Sequence, residues 1–149
     1  MRYLAISMLI LTATGCGARM VRSQPMVTLW PPLSPIEEVV AFLELYTCDF
    51  MEVVETGDPT ILVRVDRRKP LCSKGGASAG RISILGGDCN VDTEIRDGLA
   101  LHELLHVLGH WHHDVDPVSV MAPTIGYGWE VHPEDFQWII DTYCKPVDQ

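Results

Sequence analysis

Five of the six histidines stand in one run, His102-Glu103-Leu104-Leu105-His106-Val107-Leu108-Gly109-His110-Trp111-His112-His113. Neutral imidazole is the commonest protein ligand for divalent transition metals, and it holds Zn²⁺ at about 2.0–2.1 Å. On a helix, His102 and His106 lie about 40° apart and one turn from each other, close enough to share one ion. Leu101, Leu104, Leu105 and Leu108 fall on a separate stripe roughly 130° away, which would face the core. Glu103 sits beside the imidazoles rather than between them. That makes it a poor ligand but a well-placed base for a water on the ion. A catalytic zinc takes three protein ligands and keeps one position open. Gly109 can adopt the left-handed conformation that ends a helix and turns the chain back. His112, beyond that turn, is the favoured third ligand, with His113 and His110 as the alternatives. In a continued helix His110 would lie about 12 Å from His102, too far along the axis to share the ion.

The spacing His102-Glu103-x-x-His106-x-x-Gly109-x-x-His112 resembles the extended motif of the metzincin zinc endopeptidases. Ser119-Val120-Met121-Ala122-Pro123 resembles that family's Met-turn, with Met121 packing beneath the metal. The Met-x-Pro form, and Gly86-Gly87-Asp88-Cys89-Asn90-Val91-Asp92 upstream, are most similar to the matrixin branch. The resemblance implies a peptide hydrolase with one catalytic Zn²⁺ and Glu103 as the base that activates a zinc-bound water. It also implies a substrate bound as an extended strand along Arg81 to Leu85, and a pocket wall formed by Pro123 to Ile125. Tyr127 is a candidate hydrogen-bond donor near the reaction centre. Two other readings use the same residues: a zinc-binding surface lipoprotein without turnover, and a metal hydrolase of non-peptide amides or esters.

The elements that must position these side chains are marked by caps and periodicity. Asp92 or Thr93 opens a helix running to Leu108. Gly98 inside it costs about 1 kcal/mol relative to alanine, with no local reason for its presence. Ser34 as N-cap, Pro35 at the first helical position and Glu37 three residues after the cap predict a helix to about Thr47. Its inward stripe is Ile36, Val39, Val40 and Leu43. A last helix opens at Pro133, with Glu134 and Asp135 favourable against its dipole and Phe136, Ile139, Ile140 and Tyr143 inward. Strands are expected at Met26–Trp30, Met51–Glu55, Thr60–Val65 and Arg81–Leu85. His110 reads as a helix C-terminal residue, His113 as an exposed neighbour, and His132 as a helix-start residue. Asp114 and Asp116 read as turn formers. The fold class is α+β and, by the resemblance, metzincin-like: a small mixed sheet with three helices, including the zinc-binding helix and a C-terminal one.

The chain has 149 residues, 47% of them apolar, enough for one core and one domain. With 20 acidic against 11 basic residues the net charge is −9. That sign disfavours nucleic acid as a partner. Arg2, the apolar run Leu4 to Leu11 and the small residues before Cys16 read as an export signal over residues 1–15. The run is too short for a membrane span, which needs roughly twenty residues. Ala13-Thr14-Gly15-Cys16 resembles a bacterial lipobox, though Ala13 stands where leucine is usual. Residues 16–25 would then be a tether lipidated at Cys16 and anchored in the membrane, and 26–149 the peptidase domain. The protein would be an outer-membrane or cell-surface lipoprotein, or otherwise periplasmic or secreted. Setting Cys16 aside leaves four cysteines, an even set suited to an oxidising compartment. The favoured pairing is Cys48–Cys144 and Cys72–Cys89, which resembles the two disulfides of astacins.

Overall fold

In a computed structural model of the protein, residues 20–22, 26–66, 75–85 and 89–146 are described. Strand β1 (Met20–Arg22) lies within the stretch read as a tether. It pairs antiparallel with β7 (Cys144–Pro146) at the end of the chain. The core sheet begins with β2 (Val27–Trp30), followed by α1 (Ser34–Tyr46), β3 (Met51–Val53) and β4 (Ile61–Asp66). Parallel strands need a crossover connection. The apolar stripe Ile36, Val39, Val40 and Leu43, all buried, lays α1 back on the sheet so that β3 can pair parallel with β2. Pro35 stands at the start of α1, but Leu33 rather than Ser34 is its N-cap. The Ser34 hydroxyl bonds the Glu38 carboxylate at 2.7 Å, one turn on, instead of capping the helix.

β5 (Gly76–Ser78) and β6 (Arg81–Leu85) complete a five-stranded mixed sheet in the order β3-β2-β4-β6-β5. β6 runs parallel to β4, and β5 antiparallel to β6. The turn between β5 and β6 needs a left-handed residue, and Gly80 supplies it at φ +67°. β6 is therefore an interior strand, paired with β4 along its length and with β5 over Arg81–Ser83. The outer strand on that side is β5, not the Arg81 to Leu85 strand expected to receive a substrate.

α2 (Thr93–Leu108) has the bounds its caps predict: Asp92 accepts the Glu94 N–H at 2.9 Å, and Gly109 ends the helix at φ +113°. Its leucines Leu101, Leu104 and Leu105 are wholly buried, together with Leu29, Ile36, Leu43 and Ile82. α2 packs against α1 on one side and against β6 and β5 on another. α3 (Pro133–Tyr143) closes the structure. Cys48 at the end of α1 and Cys144 at the end of α3 form the expected disulfide, with Cα atoms 6.0 Å apart. The Tyr143 hydroxyl donates to the Leu108 carbonyl at 2.6 Å, which fastens α3 to the end of α2. Cys89 is also disulfide-bonded. Cys72, Cys16 and the signal stretch 1–15 lie outside the described residues.

The fold supplies the missing reason for Gly98. A Cβ there would stand 2.6 Å from the Trp129 indole nitrogen and 2.8 Å from Ile125. Trp129 uses that space to donate its indole N–H to the Glu94 carbonyl at 2.8 Å, and Glu94 also accepts the Gly128 N–H at 2.6 Å. The loop after the Met-turn is thus pinned to the start of α2. Gly98→Ala should destabilise the protein by roughly 1–2 kcal/mol in urea unfolding. The displaced indole costs more than the helix propensity that alanine adds.

Candidate metal centre

On the second half of α2 the imidazole face is as buried as the leucine face. His102, Glu103 and His106 retain only 7%, 7% and 6% of their exposure. Packed on His102 and His106 is the segment after Gly109, whose turn is set by two backbone bonds. Gly109 N–H donates to the His106 carbonyl at 3.0 Å, and His110 N–H to the Leu105 carbonyl at 2.9 Å. This is the Schellman closure that a left-handed glycine permits. The chain then doubles back, and it is His113 that arrives beside the two helical histidines.

His102, His106 and His113 each offer a ring nitrogen within 4.8 Å of the other two. The Nε2 atoms of His106 and His113 are 3.0 Å apart. Two nitrogens on one tetrahedral zinc at 2.05 Å would be separated by about 3.3 Å, so the spacing fits a shared ion. His112, the favoured third ligand in the sequence, is outside this cluster; it and His113 are both exposed. The His112 ring stands 6.1 Å from that of His110. The residue that the structure brings to the cluster stands one place after the one that the motif spacing favours, because nothing local to it reports how far the turn carries the chain.

Ring orientation argues for the same chemistry. His102 Nδ1 bonds the Val120 carbonyl at 2.7 Å, and His106 Nδ1 bonds the His110 carbonyl at 2.8 Å. A carbonyl only accepts, so Nδ1 carries the proton in both rings and Nε2 is left with its lone pair. Carbonyl partners of this kind are what fix the tautomer of metal-binding histidines. Burial holds His102 well towards its neutral form, with its pKa lowered to about 4, and lowers that of His106 as well. Three converging imidazoles are a donor set that a divalent transition metal fits. These three histidines could hold one metal ion.

The Val120 carbonyl comes from the predicted Met-turn. Ser119 to Ala122 close a tight turn, with the Ala122 N–H on the Ser119 carbonyl at 2.9 Å and the Met121 N–H on the Ser119 hydroxyl at 3.0 Å. Met121 is 1% exposed, in the packing role expected of it. Tyr127, considered for a hydrogen bond at the reaction centre, is 71% exposed on the loop that follows. Trp111 is also exposed, and one face of its indole stacks on His106, with ring centres 5.5 Å apart.

Glu103 lies where the helix meets the sheet edge. Burial pushes its carboxyl up to about 7, the range in which a carboxylate is a competent proton acceptor at neutral pH. Its side chain lies against Gly75, just before β5. A Cβ on Gly75 would come within 2.5 Å of the Glu103 carboxylate and side-chain carbon. Gly75 was not singled out in the sequence, where a Gly-Gly pair reads only as a turn. Its meaning comes from the helix it touches.

No family model matches the chain, and no curated protein matches it. A search of solved structures does find similar folds. A crystal structure of myroilysin superposes with a TM-score of 0.57 at 14% identity, covering 80% of this chain and 83% of that one. The fold is metzincin-like. The metzincin-like frame holds across most of the chain, although so few residues are shared.

Proposed function

We propose that the protein is an exported zinc-dependent endopeptidase. The observation that carries this reading is the meeting of three imidazoles, with Glu103, next to His102 on α2, buried against Gly75 beside an outer strand and its carboxyl pushed up to about 7. His102, His106 and His113 would hold the ion. Bound there, zinc supplies a Lewis acid that brings the pKa of water towards about 7 and polarises a carbonyl. Glu103 takes a proton from the attacking water and later returns it to the leaving amine. Gly75, having no side chain, leaves the carboxylate room to do both.

β5 supplies the substrate edge. A peptide in extended form adds to Gly76–Ser78 by main-chain hydrogen bonds, and this course brings its backbone past Gly75 and Glu103. The Cys48–Cys144 disulfide supports an oxidising compartment. The signal at residues 1–15 and the lipobox-like Cys16 support export with a lipid anchor. Among the described residues no helix is long and apolar enough to cross a membrane.

The test is cleavage of a proteome-derived peptide mixture by the purified protein, with its metal content measured in parallel. Cleavage should vanish with a chelator such as phenanthroline and return on adding zinc. A protein that binds zinc and cuts no peptide would overturn the reading.

A further inference from the structure

The hydrolysis just described has no use for Asp135, yet its carboxylate is 2% exposed, in the first turn of α3. One of its oxygens accepts the His132 backbone N–H at 3.1 Å. The other meets His110 Nε2 at 3.0 Å. His110 is the residue whose carbonyl holds His106 Nδ1. At the far end of the same stretch, Asp114 is held twice. Its backbone N–H donates to the Met121 carbonyl at 2.9 Å, and its carboxylate meets His132 Nδ1 at 3.2 Å. The segment from His110 to Asp114, which carries His113, is thus tied at both ends to one turn of α3.

We propose that this turn of α3 is a positioning clamp for the metal centre, in which Asp135, through His110, sets the His106 ring, and His132, through Asp114, sets His113. The proposal rests on reading the three imidazoles as a metal site. A histidine pays rotational entropy when an ion fixes it, and a ring already fixed pays less. His106 is fixed by the carbonyl of His110, whose backbone is held to α2 by one bond, from its N–H to the Leu105 carbonyl. Without Asp135 the residue keeps only that bond and the contact of its ring with Trp138. The clamp also accounts for the ligand register. With His110 drawn towards α3 and Asp114 bound to the Met-turn, the residue facing His106 is His113, and His112 is left outside the cluster.

Cobalt(II) is the probe, since it substitutes for zinc at tetrahedral sites and its visible absorption reports ligand geometry. Its affinity is measured by chelator competition on the full-length protein. Asp135→Asn and His110→Ala should each weaken cobalt binding by about 10-fold, the lower end of what loss of a ligand's own hydrogen-bond partner costs, because the His110 carbonyl remains, and should shift the absorption. The double variant should be no weaker than the worse single one, because both act through one contact. His110→Gln, whose amide N–H can still reach Asp135, should restore most of the affinity. Wild-type affinity and spectrum in folded Asp135→Asn, or losses that multiply in the double variant, would overturn the clamp. Should Asp135→Asn fail to fold, the contrast between His110→Ala and His110→Gln decides. A wild-type protein that takes up no cobalt overturns the metal site and the clamp together. One that binds cobalt and cuts no peptide overturns only the peptidase reading.

Discussion

Replacing His113 with alanine should strip the protein of its ion, whereas replacing His112 should leave metal content and cleavage near wild type. The contrast is sharp because the two residues are adjacent and chemically identical, so composition, charge and helix propensity change equally. Only position differs: both are exposed, but His113 Nε2 stands 3.0 Å from that of His106, while the His112 ring lies beside His110. A structural zinc site of four ligands binds with about 10–16 kcal/mol, so one ligand contributes about 3 kcal/mol. Its loss weakens binding by a hundredfold or more. Metal analysis after dialysis against a buffered zinc pool measures this directly. Loss of the ion in His112→Ala with retention in His113→Ala would restore the ligand set that the motif spacing suggests.

That contrast also marks where reading the chain by itself runs out. α2 was legible to the residue because its signals are local: Asp92 accepts a first-turn N–H, and Gly109 can go left-handed. The pairing of His102 with His106 followed from helix geometry alone. The third histidine of the cluster did not, because its placement depends on bonds to Met121 and to α3 that span roughly seven to twenty-five residues. Periodicity located β6 but could not say which strands flank it. β5, being Gly-Ala-Ser, has no apolar alternation to betray it. Gly98 and Gly75 share one lesson. Each looks like a defect or a turn until the side chain it makes room for, Trp129 or Glu103, is brought against it by the fold.

Glu103→Gln should lower cleavage by roughly 10²- to 10⁴-fold, the usual worth of a positioned general base, while zinc content stays at wild type. Glutamine keeps the shape that fits against Gly75 and lacks only a site for the proton. The three imidazoles owe their orientation to the Val120 and His110 carbonyls and their approach to the turn at Gly109, none of which involves Glu103. Loss of turnover with the ion retained therefore isolates the proton transfer from the metal site. The pH profile carries the same information with a definite sign. The base must be ionised to accept a proton, so wild-type cleavage should fall on the acid side as Glu103 protonates. Burial alone sets that carboxyl at about 7, and a cation beside it favours the charged form and moves the acid limb lower. In Glu103→Gln the residual rate should lose that limb. If instead Glu103→Gln cleaves at the wild-type rate with the limb unchanged, the proton goes elsewhere, and the buried carboxylate against Gly75 has only a packing role.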